Sequence, residues 1–318
     1  MNYILKNKCV LVLLALVALG CKTENKNAEN TETATSFVSN TLLKHTVASD
    51  GHPLAVWEKK AANPKGLILF VHGRTWSGVP DFDLQVEGED LSLMDGLVAQ
   101  GYTTFAIDLR GYGGTPRDAT EWATPNRASN DILTVLDWIS AQNKDRKVHL
   151  FGWSMGSTLS LLATQKNANK IASLTVFGYW QDLDVEIPES PSDIQLQKRI
   201  NTAESAASDF ITPGSISQKA IDTYVKMALE SDPIRVDWKN ESDYNAIDPS
   251  LISVPVLLLQ GEFDPLSPTA HQAKLFTRLK SSDKSWRVIA GGDHAAFMET
   301  PREQFIHSFT AFIDSFNE

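Results

Sequence analysis

The chain has 318 residues, 42% hydrophobic and 21% charged, an ordinary globular composition with room for one large α/β domain plus an insertion, or two small domains. Its formal net charge of −10 argues against nucleic acid as a partner and against electrostatic capture by anionic lipid. Both cysteines, Cys9 and Cys21, precede the part that reads as folded, which excludes a disulfide, a thiolate metal site and a cysteine nucleophile there.

Lys6 and Lys8 precede an apolar run over residues 9–19, followed by Gly20 and Cys21. A basic start, a short apolar core and a small residue before a cleavage point describe an export signal over residues 1–20, whose eleven apolar residues are too few to span a bilayer as a mature helix. The ending Val17-Ala18-Leu19-Gly20-Cys21 resembles the lipobox of bacterial lipoproteins, with Ala18 where that pattern usually has Leu. The resemblance implies lipidation of Cys21, a membrane anchor and a soluble domain outside the cytoplasm, in the cell envelope. The Lys-, Thr-, Glu-, Asn- and Ala-rich stretch that follows cannot bury enough apolar surface to fold, so residues 21–40 read as the lipidated cysteine and its flexible tether.

Residues 42–48 and 54–58 read as two strands joined through Asp50-Gly51, a hairpin signal. The apolar run 66–72 is expected of a central strand buried on both faces. Leu91, Met94, Leu97 and Val98 share a helical stripe that Gly101 ends, and residues 103–107 form the next strand. Ile132, Val135, Leu136 and Ile139 mark another helix, and 171–177 another strand. Residues 181–248 are polar and carry several prolines; the stripe Ile221, Tyr224, Val225 and Ala228 makes a mostly helical insertion the expectation. Strand character resumes over 254–260 and 285–289, with a helix containing Leu275 and Leu279 between them. The stripe Phe305, Phe309, Phe312, Ile313 and Phe316 closes the chain. Alternating strands and helices predict a mostly parallel central sheet with helices on both faces, over 41–180 and 249–318.

The chemistry centres on Gly152-Trp153-Ser154-Met155-Gly156, set between the apolar strand 148–151 and a helical pattern that includes Leu159, Leu161 and Leu162. A serine on such a turn is lifted above the sheet, and the new helix points its first N–H groups at whatever the hydroxyl attacks. Serine is a weak nucleophile at neutral pH and needs a base held by a carboxylate. Two late turns at strand C-terminal ends supply them: Asp264 in Gly261-Glu262-Phe263-Asp264-Pro265, and His294 in Gly291-Gly292-Asp293-His294. Glu262 and Asp293 are rivals to Asp264, and His72 is the one other histidine at a strand end. The N–H of Met155 and an N–H after the 66–72 strand, with Arg74 favoured over Thr75, would complete an oxyanion hole.

These residues together resemble the α/β-hydrolase superfamily. Its oxyanion motif is similar to His72-Gly73-Arg74, its Asp-x-Arg-Gly-x-Gly-x-Ser segment to Asp108 through Thr115, and its chain order of nucleophile, acid and base to Ser154, Asp264 and His294. The resemblance implies an α/β-hydrolase fold with a helical cap over 181–248. It also implies a serine hydrolase working through an acyl-enzyme without metal or cofactor, and a structural role for Asp108 and Arg110. A carboxylic ester of a small to medium, apolar acyl group is the expected substrate. A thioester, lysophospholipid, C–C or peptide bond stays open on the same fold. Trp76, Trp153 and Trp180 at strand ends are expected to line the pocket. A non-catalytic binding lipoprotein would predict a broken set of catalytic residues, and none is missing. Oligomeric state is not legible.

Overall fold

The structure, a computed structural model, describes residues 41–317. The expected signal, Cys21 and the tether lie outside the described residues.

Asp50 and Gly51 both take positive φ, 49° and 74°, and join β1 (Leu43–Ser49) to β2 (His52–Lys59) with Ser49 facing His52. This two-residue turn twists with the strands it connects. The continuous apolar runs then become inner strands: β3 (Gly66–Val71), β4 (Tyr102–Ile107), β6 (Val148–Trp153), β7 (Ile171–Phe177) and β9 (Val256–Gly261), buried at nearly every position. β10 (Lys284–Ile289) is the partly exposed edge. Among the described residues these strands form one sheet in the order β1-β2-β4-β3-β6-β7-β9-β10, parallel from β4 onward.

Alternate residues of each strand feed two separate cores. Leu67, Leu69 and Val71 of β3 pack with Ile132, Val135, Leu136 and Ile139 of α3 (Pro125–Gln142) and Leu159 and Leu162 of α4 (Met155–Lys166). Ile68 and Phe70 join the opposite core, with Met94 and Leu97 of α2 (Leu93–Ala99) and Phe305 and Phe309 of α8 (Arg302–Ile313). α7 (Thr269–Arg278) buries Leu275 on the α3 side. The chain leaves β3 toward β4 on one side and returns to β6 on the other. That reversal opens a crevice at the strands' C-terminal ends, where open α/β sheets bind ligands.

Three features differ from the sequence reading. A five-residue helix, α1 (Gly78–Phe82), follows the loop after β3; it is too short to show a helical stripe. The insertion is largely irregular rather than mostly helical: it holds α5 (Ala203–Ala207), α6 (Gln218–Ser231) and a 3-10 turn over Glu241–Ala246. Pro188, Pro191, Pro213 and Pro233 interrupt the rest, since proline removes a backbone donor and disfavours helix before it. The insertion also contributes a strand, β8 (Asp237–Trp238), paired in parallel with β5 (Trp122–Ala123). Among the described residues no helix is long and apolar enough to cross a membrane.

Candidate active site

Ser154 stands between β6 and α4 at φ 54° and ψ −120°, a conformation that side chains rarely adopt. Its N–H donates to the Phe177 carbonyl at 2.8 Å. A Cβ on Gly152 would lie 2.2 Å from the Gly156 carbonyl oxygen, and one on Gly156 would lie 2.2 Å from that of Val71. The two glycines are there because helix and strand meet backbone to backbone. Met155 opens α4, so its N–H has no acceptor within the helix.

His294 and Ser154 line the same cavity, of about 220 Å³, together with Gly73, Trp76, Trp153 and Leu266. His294 Nδ1 donates to Asp264 Oδ2 at 2.8 Å, and the Trp153 indole N–H holds the His294 carbonyl at 2.7 Å. Asp264 Oδ1 accepts from the Leu266 N–H at 2.9 Å, so both carboxylate oxygens are committed. The rival carboxylates point elsewhere: Glu262 takes the Gly291 N–H at 2.8 Å, and Asp293 takes those of Thr212 and Ala295 at 2.6 and 3.0 Å.

His72 serves the loop instead. Its Nε2 accepts from the Leu109 N–H at 3.1 Å, which leaves Nδ1 to donate to the Gly73 carbonyl at 2.8 Å. Burial lowers its pKa to about 4, so it stays neutral. Asp108 takes the N–H groups of Gly78 and Gly114 and the Trp57 indole, while Arg110 grips Asp131 at 2.7 and 2.8 Å. These two residues brace the loops around the crevice and do not line the Ser154 cavity. Arg74 lies in the cavity wall. Its carbonyl accepts from Tyr112 Oη at 2.5 Å, and its guanidinium turns to Glu241 at 2.5 and 2.7 Å. The Trp238 indole donates to Tyr112 Oη at 2.8 Å, which connects β8 to the loop that carries Arg74.

Of the three tryptophans, Trp76 and Trp153 line the cavity; Trp180 does not. Trp180 is half-buried against the α3-side core, edge-on to Tyr244, with its carbonyl held by His271. It lies three residues past β7, where the chain has already turned away from the crevice.

The cavity also carries two carboxyls with no motif behind them: Asp81 from α1 and Asp209 from the insertion. Tyr224 Oη bridges them, 3.0 Å from Asp81 Oδ1 and 3.2 Å from Asp209 Oδ2. One phenolic proton serves one contact, so the other requires a protonated carboxyl. Burial, with the charge of Asp209 nearby, pushes Asp81 well above the usual range, and burial pushes Asp209 up to about 6. Only tertiary contact assembles this trio, so no sequence spacing announces it. Among the described residues, no group of three or more His, Cys, Asp or Glu is placed to hold a metal ion.

Another buried acid fastens the insertion to the His294 loop. Ser215 Oγ donates to Glu299 at 2.7 Å, and the Thr300 N–H donates to the Ser215 carbonyl at 2.7 Å. Burial pushes the Glu299 carboxyl from 4.5 up to about 8; Ser215 opposes the shift and nearby Asp293 adds to it. Folded Glu299 therefore keeps a proton that the unfolded chain releases. Its contribution to stability is complete below pH 4.5, falls as pH rises through that window, and is gone above about pH 8. Glu299→Gln fixes the neutral form, so the Tm advantage of the variant over the native chain should grow between pH 5 and pH 8. Equal differences at both pH values would show that folded Glu299 is ionised.

The sequence profile of the serine aminopeptidase S33 family (Hydrolase_4) matches residues 62–301. Among curated relatives, a 2-hydroxy-6-oxo-6-(2'-aminophenyl)hexa-2,4-dienoic acid hydrolase of Metapseudomonas resinovorans is 25% identical over 68% of this chain and 76% of its own length. The lysophosphatidylserine lipase ABHD12 of Macaca fascicularis is 28% identical over 70% of this chain; the match spans 47% of the lipase, about half its length. Among solved structures, a thioesterase domain from the curacin biosynthetic pathway superposes with a TM-score of 0.61 at 16% identity, covering 84% of this chain and 99% of that one. The order of strands, the elbow at Ser154 and the extent of the profile match agree: this chain belongs to the serine aminopeptidase S33 family of α/β-hydrolases.

Proposed function

We propose that the chain hydrolyses carboxylic esters of small to medium acyl groups through an acyl-enzyme. Ser154 Oγ attacks the ester carbonyl while His294 Nε2 takes its proton. The tetrahedral oxyanion meets the N–H groups of Met155 and Arg74, and His294 returns the proton to the departing alcohol. Water then repeats the sequence in reverse roles and releases the acid. Asp264 holds the imidazole with Nε2 free to accept and stabilises the imidazolium. The observation that carries this reading is the shared cavity of Ser154, on its strained turn, and the His294–Asp264 pair. Trp76, Trp153 and Leu266 supply apolar wall, whereas Asp81 and Asp209 make one side polar, so the pocket is mixed rather than wholly apolar. Export and anchoring through lipidated Cys21 belong to the same proposal, supported by residues 1–36 of the sequence.

The test is hydrolysis of p-nitrophenyl esters of rising acyl length by the full chain, beside Ser154→Ala. Activity should vanish in the variant. Trp76→Ala should shift the acyl-length optimum upward and Trp180→Ala should leave it in place; a shift with Trp180→Ala alone would put the acyl pocket on the other side of the crevice. A second reading rests on Asp209, whose carboxyl in the cavity suits a substrate ammonium. Faster turnover of alanine p-nitroanilide than of p-nitrophenyl acetate would favour an aminopeptidase.

A further inference from the structure

Next to the Ser154 cavity lies another, of about 280 Å³, walled by Arg74, Arg199, Arg235, Trp122 and Trp238, with Asp237 and Glu241. Both carboxylates are already engaged. Glu241 clasps Arg74, and Asp237 accepts the backbone N–H groups of Gln197 and Lys198 at 3.1 and 3.0 Å. Arg199 and Arg235 are left over: among the described residues neither has a carboxylate within ion-pair distance. They are held side by side, because the Arg235 N–H donates to the Arg199 carbonyl at 2.8 Å beside the Ile200–Ile234 bridge.

Two like charges fixed across a bridge repel, and a chain of net charge −10 has many acids that could have paired them. Burial lowers the Arg235 pKa, and the charges of Arg74 and Arg199 lower it further, against a smaller opposing effect of Tyr112 and Asp209. An anion entering this cavity would offset the repulsion among these guanidiniums, and guanidinium forks match carboxylate and phosphate oxygens. The cavity also communicates with the reaction site. It shares Arg74 with the Ser154 cavity, and Arg235 Nη2 donates at 3.1 Å to Thr75 Oγ1, which lines that cavity.

We propose that Arg199 and Arg235 form a subsite for an anionic group, carboxylate or phosphate, carried by the substrate whose ester carbonyl sits at Ser154. The proposal rests on the hydrolase reading of Ser154 and deepens it. The enzyme selects esters that bear a negative charge a short span from the scissile bond, and Arg74, paired with Glu241, frames the subsite without neutralising an incoming anion.

The experiment compares three phenyl acetates on the full chain: 4-acetoxybenzoate, 4-acetoxyphenyl phosphate and the neutral methyl 4-acetoxybenzoate. At least one anionic ester should exceed the neutral one in kcat/KM by about tenfold or more, with a preference that weakens as salt is raised. The ratio should fall toward one in Arg235→Gln and in Arg199→Gln; Arg199 is exposed, so its variant does not threaten folding. Lys226→Gln, which removes the same charge from an exposed position of α6, should leave the ratio unchanged. The relative rates of carboxylate and phosphate identify which anion the subsite takes. A native ratio at or below one, or an equal loss with Lys226→Gln, overturns the proposal. If no ester is hydrolysed the hydrolase reading fails, and calorimetry of the same compounds with Ser154→Ala then decides the subsite. Binding of an anionic ester that Arg235→Gln abolishes supports it, and equal binding of charged and neutral esters overturns it.

Discussion

Ser154→Gly and Ser154→Ala should both lose hydrolysis, by about 10⁴-fold or more, and yet differ in stability. Both lack the nucleophilic oxygen. They part at the backbone, since φ 54° with ψ −120° lies outside the regions open to a residue with a Cβ. Strain of this kind costs about 1–3 kcal/mol, and alanine keeps it whereas glycine releases it. Glycine gives back about 0.5–1 kcal/mol through the freedom it has when unfolded. The net expectation is Ser154→Gly above Ser154→Ala by about 1 kcal/mol, or about 2 °C in Tm for a domain of this size. Thermal denaturation of the two inactive variants measures the difference directly. An alanine variant as stable as the glycine variant would mean that the elbow relaxes once the hydroxyl is gone, and the strain at Ser154 would belong to the hydroxyl's contacts rather than to the turn.

How far the sequence could be read follows from how local each signal is. The inner strands are buried on both faces, so each appears as an unbroken apolar run, and the elbow carries its own context of strand, two close-packed glycines and helix. Asp264 and His294 stand thirty residues apart but in the turns after successive strands, so turn position and chain order together suggested the pairing that the structure brings to 2.8 Å, with Glu262 and Asp293 as rivals. Length and position hid the rest. α1 is five residues long, and β5 and β8 pair two residues each across more than a hundred residues of chain. Within the insertion only α6, which buries Ala220, Tyr224 and Ala228, carries a stripe; elsewhere it buries isolated side chains such as Tyr244, so the rest of its path left little periodicity to read. Trp180 shows the limit: its place after a strand resembled that of Trp153, but three further residues turned it to the other side. Asp209, Arg199 and Arg235, which give the two cavities their opposite charges, sit in segments whose only pattern is polarity.

Asp264→Asn should lower kcat by about 10³–10⁴-fold with little change in KM or Tm, and the neighbouring hydrogen bond explains why a nearly isosteric change is so damaging. Asp264 Oδ1 accepts from the Leu266 N–H at 2.9 Å while Oδ2 faces His294 Nδ1. An asparagine keeps the first contact only by placing its carbonyl oxygen there, which turns its NH₂ toward the imidazole. The amide then donates to Nδ1, the ring proton moves to Nε2, and the nitrogen that should accept from Ser154 carries a hydrogen instead. The packing of this buried side chain survives and one buried charge is removed, so folding is spared. Asp264→Ala, which presents no donor, leaves the ring free to choose its tautomer and should retain more activity than the asparagine variant despite removing more atoms. Steady-state kinetics of both variants on one p-nitrophenyl ester decides the matter: an asparagine variant more active than the alanine variant would mean that Asp264 acts chiefly through its charge, and the tautomer argument would fall.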